Sequence, residues 1–166
     1  MNVQLFNEFI LYNNLKLVSS IWQVPSFTRE AHGLLLMIAL QESNLKHRNQ
    51  YPVAYARGFW QFERGCCNLL WKNETANKLI KAVSSEIAFP IATSIDIWEG
   101  VEVNDTIAVA VARVNLYLDP RPLPKLEDEE KCWQYYNSIW RPGKPNREKW
   151  DDSYIRAMAE IGRFYL

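Results

Sequence analysis

The sequence is poor in the residues that build disulfide frameworks and metal sites. Its 166 residues include three cysteines, Cys66, Cys67 and Cys132. An odd number with two adjacent members fits neither a disulfide framework nor the ligand spacing of zinc sites. The two histidines, His32 and His47, are too far apart in sequence to suggest a metal site or a catalytic triad. We therefore expect free thiols, synthesis in a reducing cytoplasm, and no metal or cofactor.

The chain also lacks net charge and long apolar runs. With 19 basic and 19 acidic residues the formal charge is zero, so no overall field attracts nucleic acid or an anionic membrane. No apolar run reaches the 18 residues that a membrane-spanning helix needs. The opening segment MNVQLFNEFILYNNLK has no basic stretch before its apolar residues, which are interrupted by Asn and Gln. We expect no signal peptide, no membrane insertion and no nucleic-acid partner.

What the chain does have is enough apolar material for one core. Hydrophobic residues make up 48% of the sequence and aromatic residues 13%. A length of 166 residues suits one compact domain, and the sequence contains neither an internal repeat nor a low-complexity linker. We therefore predict a single domain over residues 1–166.

Hydrophobic periodicity predicts that this domain is mainly helical. Apolar residues between 5 and 21 recur at three- and four-residue steps, with a break expected near Asn13 and Asn14 and an end before Pro25. The run GLLLMIAL is apolar on every side, which predicts a central buried helix over 28–42. Further helices are expected near 68–85 and 91–100, after an Asn104 cap, and at 127–140 and 147–164. The only expected strands form a small hairpin between 46 and 62, so the predicted fold class is mainly α with a small β-hairpin.

Glu42 ends the predicted buried helix on an apolar face. Positions three, four and seven residues earlier are Ala39, Ile38 and Leu35. Poor solvation and the negative end of the helix dipole both disfavour the carboxylate, so we expect the pKa of Glu42 to be raised. A carboxylic acid that keeps its proton near neutral pH can protonate a leaving oxygen, which is the general-acid step in breaking a glycosidic bond.

A plainer interpretation of Glu42 stays open on these grounds alone. Its side chain could reach solvent as the helix ends, or pair with Lys46, His47 or Arg48. Helix geometry by itself favours that interpretation, because charged side chains are seldom buried. The wider sequence context favours the catalytic one.

Three motifs resemble those of one enzyme superfamily. Glu42-Ser43 follows the buried helix, Gly58-Phe59-Trp60-Gln61-Phe62 comes next, and Tyr136-Asn137 lies near the chain end. Their order and spacing resemble the lysozyme-like superfamily, in its soluble lytic transglycosylase and goose-type lysozyme branch. The segments ARGFWQFE and RPGKP resemble segments of peptidoglycan-degrading proteins of tailed bacteriophages. The resemblance implies a lysozyme-like fold with a cleft between the 28–42 helix and the hairpin near 58–62.

The same resemblance implies roles for individual residues. Glu42 would be the catalytic acid and base, Ser43 would hold the site or the substrate, Gln61 would line the cleft, and Tyr136 would orient Glu42 or the sugar. Each of the last three also has a structural interpretation: Ser43 could cap a turn, Gln61 could satisfy backbone groups, and Tyr136 could be a core aromatic.

The other motif residues are further candidates for substrate binding. These are Phe59, Trp60 and Asn137, and Trp60 is the main candidate for stacking on a sugar because it lies inside the motif. Trp140 is a weaker candidate for the same role. The remaining tryptophans are expected to pack in the core: Trp22, Trp71, Trp98, Trp133 and Trp150.

Two reactions and one binding role follow from the resemblance. A single glutamate supports the transglycosylase route, which forms an anhydro sugar without water or a cofactor. A true muramidase would need a second carboxylate, for which Glu63 is a doubtful candidate, since a strand would turn it away from Gln61, and Asp119 a candidate by default. A noncatalytic virion or cell-wall-binding protein that keeps the fold is the rival. Expected partners are peptidoglycan glycan strands and phage virion proteins, with action at the bacterial cell wall after synthesis in the host cytoplasm.

Overall fold

A computed structural model describes residues 1–24, 26–49 and 55–165. This part of the chain is mainly helical with one small two-stranded antiparallel hairpin, which confirms the predicted fold class. The elements are α1 (Val3–Leu5), a π-helical segment (Phe6–Tyr12), α2 (Asn13–Trp22), α3 (Arg29–Ser43), β1 (Ala56–Arg57), β2 (Phe62–Glu63), α4 (Arg64–Lys72), α5 (Glu74–Glu86), α6 (Ser94–Val103), α7 (Asp105–Tyr117), α8 (Glu129–Trp140) and α9 (Arg147–Phe164).

Helix α3 is the centre of the core, as its sequence predicts. The Thr28 side chain caps its first turn by accepting from the Ala31 amide at 3.1 Å, and every residue from Ala31 to Gln41 is buried. The helix packs against α9, α7 and the π-helical segment. Helix α7, which begins at the predicted Asn104 cap, is buried over most of its length too. The C-terminal end of α3 therefore presents Glu42 from a fixed position in the core.

The predicted break at Asn13 and Asn14 is wrong. The chain stays helical from Val3 to Trp22, with wider π-helical turns over Phe6–Tyr12 in front of the two asparagines. The Asn14 amide nitrogen donates to the Ile10 carbonyl at 2.7 Å, and its amide oxygen accepts from the Thr106 hydroxyl of α7 at 2.5 Å. These two bonds satisfy the Asn14 side chain while its backbone stays helical. The helix therefore continues through Asn14.

The single helix predicted over 68–85 is two helices. Helix α4 ends at Lys72 and α5 begins at Glu74, with Asn73 between them in an extended conformation. The Asn73 side chain accepts from the Ala76 amide at 2.9 Å, which is the N-cap geometry that asparagine favours. The later helices follow the prediction more closely, since Thr93, Asn104, Asp128 and Asn146 each cap the helix that comes next.

The hairpin holds a tight turn against α6. Ala56 pairs with Glu63 and Arg57 with Phe62, so residues 58–61 form the turn. Gly58 has a φ of 75°, and a Cβ there would lie 2.5 Å from the Val101 carbonyl oxygen of α6. Both constraints require glycine. The part of the predicted hairpin range that covers 50–54 lies outside the described residues.

Length and apolar content decide whether a helix can cross a membrane. Among residues 1–24, 26–49 and 55–165, no helix combines the length and the apolar content that crossing a bilayer requires.

Candidate active site

One cleft of about 590 Å³ opens at the C-terminal end of α3. Five parts of the chain form its walls: the end of α3, the hairpin with the start of α4, Asn115 of α7, the end of α8, and residues 141–146 with the first turn of α9. We call residues 141–146 the rim segment. The side chains that line it include Glu42, Gln61, Glu63, Tyr136, Trp140, Arg141, Lys144 and Lys149. The cleft thus collects residues that lie far apart in sequence.

Glu42 is a partly buried acid that faces this cleft. Burial raises its pKa, as the sequence predicts, and the negative charge of Glu63 acts in the same direction. A hydrogen bond from Tyr136 and the positive charge of Lys149 oppose that rise without cancelling it. Its alternative partner Arg48 pairs with Asp105 at 2.6 Å instead. The carboxyl group is therefore biased toward its protonated form in a place that a ligand can reach.

Tyr136 is hydrogen bonded directly to Glu42. Its hydroxyl donates to Glu42 Oε1 at 2.6 Å, across 94 residues of sequence. The ring stacks on Trp150 of α9 with centroids 5.1 Å apart and an interplanar angle of 18°, and it also contacts Trp133. Burial and the neighbouring Glu42 charge raise the pKa of Tyr136, so the phenol keeps its proton and remains a donor. The aromatic stack fixes the direction from which Glu42 receives this hydrogen bond.

The residue before Glu42 is attached to α9 and to its N-cap residue, Asn146, by three hydrogen bonds. The Gln41 amide donates to the Asn146 carbonyl at 3.0 Å, and its side-chain oxygen accepts from Ser153 at 3.3 Å. The Lys149 ammonium group donates to the Gln41 backbone carbonyl. That carbonyl belongs to the last turn of α3, where helices leave backbone acceptors unpaired. The backbone that carries Glu42 is therefore fixed by the neighbouring helix.

Gln61 lines the same cleft as Glu42, at the end of the hairpin turn. Its backbone has a φ of 51°, and both its amide N–H and its side-chain Nε2 donate to the Gly58 carbonyl, at 3.1 and 2.7 Å. The side chain thus satisfies a backbone group, as its structural interpretation proposes, while it also forms part of the cleft wall.

Glu63 also faces the cleft, contrary to the sequence prediction. Strand alternation was expected to turn it away from Gln61. Gln61 is a turn residue with positive φ, so the alternation of a strand does not relate the two side chains. The other candidate for a second carboxylate, Asp119, pairs with Arg121 at 2.5 Å and lines the neighbouring depression.

The structure corrects the predicted substrate-binding roles of Trp60 and Phe59. Trp60 is completely buried, and its indole N–H donates to the Leu35 carbonyl of α3 at 2.9 Å. Phe59 is 3% exposed and packs edge-on against Phe6. Trp140, the weaker candidate, is the tryptophan that lines the cleft, with its indole N–H donating to the Trp60 carbonyl at 3.0 Å.

Ser43 and Asn137 are not among the residues that line the cleft, and both side chains hydrogen bond to nearby backbone groups. The Ser43 hydroxyl donates to the Ala39 carbonyl at 3.0 Å and accepts from the Leu45 amide at 3.2 Å, so it closes the turn that ends α3. The Asn137 amide donates to the Trp133 carbonyl of its own helix at 2.8 Å. Both side chains support the elements that carry Glu42 and Tyr136.

Sequence analysis missed Lys149 and the neighbouring Gln41. One signal could have indicated Lys149. It is the third residue of α9, after the Asn146 cap, and a cation in the first turn of a helix opposes the helix dipole. Such a placement suggests that the side chain serves a neighbouring element, here the C-terminal end of α3.

The site was also compared with metal centres and with known proteins. In the part of the chain that the structure describes, no group of three or more His, Cys, Asp or Glu side chains is arranged to hold a metal ion. In comparisons with known proteins, no family model matches this chain, and no curated protein or solved structure matches it with significance. A functional hypothesis therefore depends on the chemistry of the cleft and on the motifs in the sequence.

Proposed function

We propose that this protein cleaves the bond between N-acetylmuramic acid and N-acetylglucosamine in peptidoglycan glycan strands, with Glu42 as a single acid and base. The observation that carries this proposal is the Glu42 carboxyl group. Its pKa is raised, Tyr136 orients it at 2.6 Å, and it faces a cleft of about 590 Å³. Perturbed acids in clefts are typical of catalytic sites. The motif resemblance to lytic transglycosylases supports the choice of substrate.

The proposed reaction needs no group beyond the sugar and Glu42. The Glu42 carboxyl donates its proton to the glycosidic oxygen as the bond from that oxygen to the anomeric carbon breaks. The resulting carboxylate takes the proton of the sugar's own 6-hydroxyl, and that oxygen forms the new bond to the anomeric carbon. The product is an anhydro sugar, and Glu42 returns to its protonated form.

Hydrolysis by a muramidase is the second candidate, and Glu63 is the observation that favours it. Glu63 lines the same cleft and raises the pKa of Glu42 through its charge. A second carboxylate in such a position could activate water or stabilise the positive charge that develops on the sugar. The expected effect of Glu63→Gln differs between the two reactions: hydrolysis falls sharply, whereas transglycosylation continues.

Mass spectrometry of purified peptidoglycan after incubation with the protein tests both reactions. Anhydro ends support the transglycosylase reaction, and new reducing ends support hydrolysis. Unchanged glycan strands that nevertheless retain the protein in a pull-down would support a noncatalytic wall-binding protein and contradict both enzymes. The Glu42→Gln protein is the matched control for traces of host enzymes. We further propose that the protein acts at the bacterial cell wall, either carried in a phage virion or released at lysis.

A further inference from the structure

Lys149 connects the first turn of α9 to the end of α3 that carries Glu42. Its ammonium group donates to the Gln41 carbonyl, one residue before Glu42, and its side chain lines the same cleft. The Asn146 side chain caps the Lys149 amide at 2.9 Å, while the Asn146 carbonyl accepts from the Gln41 side chain. A cation is favourable at the C-terminal end of α3 and unfavourable at the start of its own helix. In this position Lys149 therefore stabilises the C-terminal end of α3 and not the start of its own helix.

Charged and titratable groups reach the cleft around Glu42 from the hairpin, α4, α8, α9 and the rim segment. On α4 the group is the Cys66 thiol, whose pKa is raised to about 11 by burial. Tyr136 of α8 is a neutral donor to the carboxyl group, and Glu63 of β2 adds a like charge. The charge of Lys149 lowers the pKa of Glu42, and that of Glu42 raises the pKa of Lys149, which burial lowers overall. The rim segment adds the exposed cations Arg141 and Lys144. Lys149 differs from both because it is partly buried and is bonded to the backbone that carries Glu42.

We propose that Lys149 is a positioning residue, which fixes the last turn of α3 through the Gln41 carbonyl and places a positive charge at the helix end that carries Glu42. Its catalytic consequence rests on the proposed function. When Glu42 gives its proton to the leaving oxygen, a carboxylate forms in a poorly solvated place, and the ammonium group of Lys149 stabilises that charge. Lys149 thus makes Glu42 a better acid at the step that breaks the bond.

The electrostatic coupling can be measured without any enzyme assay. We would titrate the Glu42 side-chain carboxyl carbon by NMR in the wild type, Lys149→Met, Lys149→Arg and Lys144→Met. Lys149→Met should raise the pKa of Glu42, Lys149→Arg should keep it near the wild-type value, and Lys144→Met should change it less. Coupling between two sites is reciprocal, so Glu42→Gln should lower the pKa of Lys149. An unchanged Glu42 pKa in Lys149→Met, or an equal change in Lys144→Met, would overturn the proposal.

Kinetics on soluble glycan strands then test the catalytic consequence. Because Glu42 must be protonated to act as the acid, kcat/KM falls as pH rises through the pKa of Glu42. Lys149→Met should move that alkaline limb to higher pH, and Lys149→Arg should restore its position. A purely structural role predicts lower kcat/KM at every pH with the limb unmoved, which would contradict the proposal. If Lys149→Met does not fold, Lys149→Arg and the reciprocal titration in Glu42→Gln still decide the coupling. If the wild type cleaves no glycan, the proposed function fails, while the NMR titration still decides the role of Lys149.

Discussion

Each end of helix α3 carries a titratable side chain, and the two side chains differ in their access to solvent. Near the N-terminal end, His32 is completely buried and surrounded by the rings of Tyr12, Phe27, Phe164 and Tyr165. At the C-terminal end, Glu42 is partly buried and faces the cleft. Burial favours the neutral form of both, since it lowers the pKa of His32 to about 4 and raises that of Glu42. We call these the sealed end and the open end.

Hydrogen bonds at the sealed end match the neutral histidine that the lowered pKa of His32 favours. Asn7 Oδ1 can only accept, so His32 Nε2 carries the proton and donates to it at 2.5 Å. His32 Nδ1 then accepts from the Tyr165 hydroxyl at 3.1 Å, and the Asn7 amide donates to Glu160 Oε1 at 3.4 Å. Both ring nitrogens are therefore paired. Comparison of the two ends teaches that burial alone perturbs a pKa, and that access to a cleft makes such a group available for chemistry.

The largest difference between the ends should come from replacing the acid at the open end. We expect Glu42→Gln to reduce glycan cleavage by about 10² to 10⁴, or roughly 3 to 5 kcal/mol of barrier, because an amide has no proton to give. Gln keeps the volume and can still accept the hydrogen bond from Tyr136, so the melting temperature should stay level or rise slightly. Product formation and melting curves for both proteins provide the test. Equal turnover would remove Glu42 from the mechanism.

Protonation of His32 at the sealed end should change the stability of the protein, whereas changes at the open end should change glycan cleavage. The pKa of His32 is about 4 in the folded protein, against a usual value of 6.5. Between pH 6.5 and pH 4 the His32 side chain is protonated in the unfolded chain but neutral in the folded protein. Its contribution to the unfolding free energy is therefore complete above pH 6.5 and is lost as pH falls toward 4. The difference corresponds to about 3 kcal/mol at about 1.36 kcal/mol per pH unit.

Denaturant unfolding at pH 7 and pH 4.5 measures this loss. Other acids titrate in the same range, so the useful quantity is the difference between the wild type and His32→Gln, which has no ionisable group at this position. We expect the wild type to lose more unfolding free energy than the variant on acidification. Equal losses in the two proteins would show that His32 does not titrate as described.

Removing the donor to Glu42 tests how far the open end depends on orientation. Tyr136→Phe keeps the stack on Trp150 but loses the 2.6 Å bond to Glu42. A hydrogen bond to a charged group contributes about 1.5 kcal/mol or more, so cleavage should fall about tenfold. Because that bond lowers the pKa of Glu42, the alkaline limb should move to higher pH. Tyr135→Phe is the control, since that hydroxyl lies 3.5 Å from the Leu116 carbonyl, away from Glu42. A similar loss in both variants would argue against orientation by Tyr136.

The smallest effect on cleavage should come from the acid at the sealed end. Glu160 is buried, with hydrogen bonds from Asn7 and Arg163 at 3.4 Å each. Glu160→Gln should cost about 1 kcal/mol of unfolding free energy, since it weakens both bonds, and should leave glycan cleavage within about twofold of the wild type. Assays beside Glu42→Gln provide the comparison. If both substitutions reduced cleavage alike, the distinction between the two ends would be lost.

Local chemistry explains which parts of the fold could be predicted from the sequence. The starts of α7 and α9 follow from Asn104 and Asn146, whose side chains cap the next turn and need no distant partner. The helix through Asn14 could not be predicted, because its amide is satisfied by the Thr106 hydroxyl, 92 residues away. At Asn73 the opposite error occurred. One helix was predicted through this residue, although its side chain caps the start of a second helix.

In the candidate site, too, the features that depend on neighbouring residues could be predicted, and those that depend on distant contacts could not. The raised pKa of Glu42 could be predicted because its apolar face and its end position are local properties of one helix, whereas its proposed role was inferred from the order of the motifs. Trp60 was misjudged because its burial depends on the Leu35 carbonyl of another element. Lys149 was missed because its contact with Gln41 spans 108 residues. Sequence patterns thus identify the perturbed acid more readily than the groups that hold it.

Two indole N–H groups connect the hairpin turn to α3 and to α8. Trp60 reaches from the hairpin turn to the Leu35 carbonyl, and Trp140 reaches from the end of α8 to the Trp60 carbonyl. Each indole is a planar group of fixed length, held at its polar end by a backbone oxygen. Together they act as a spacer between the axis of α3 and one wall of the cleft. The distances from the hairpin turn to α3 and to the end of α8 are therefore each set by the length of one indole side chain.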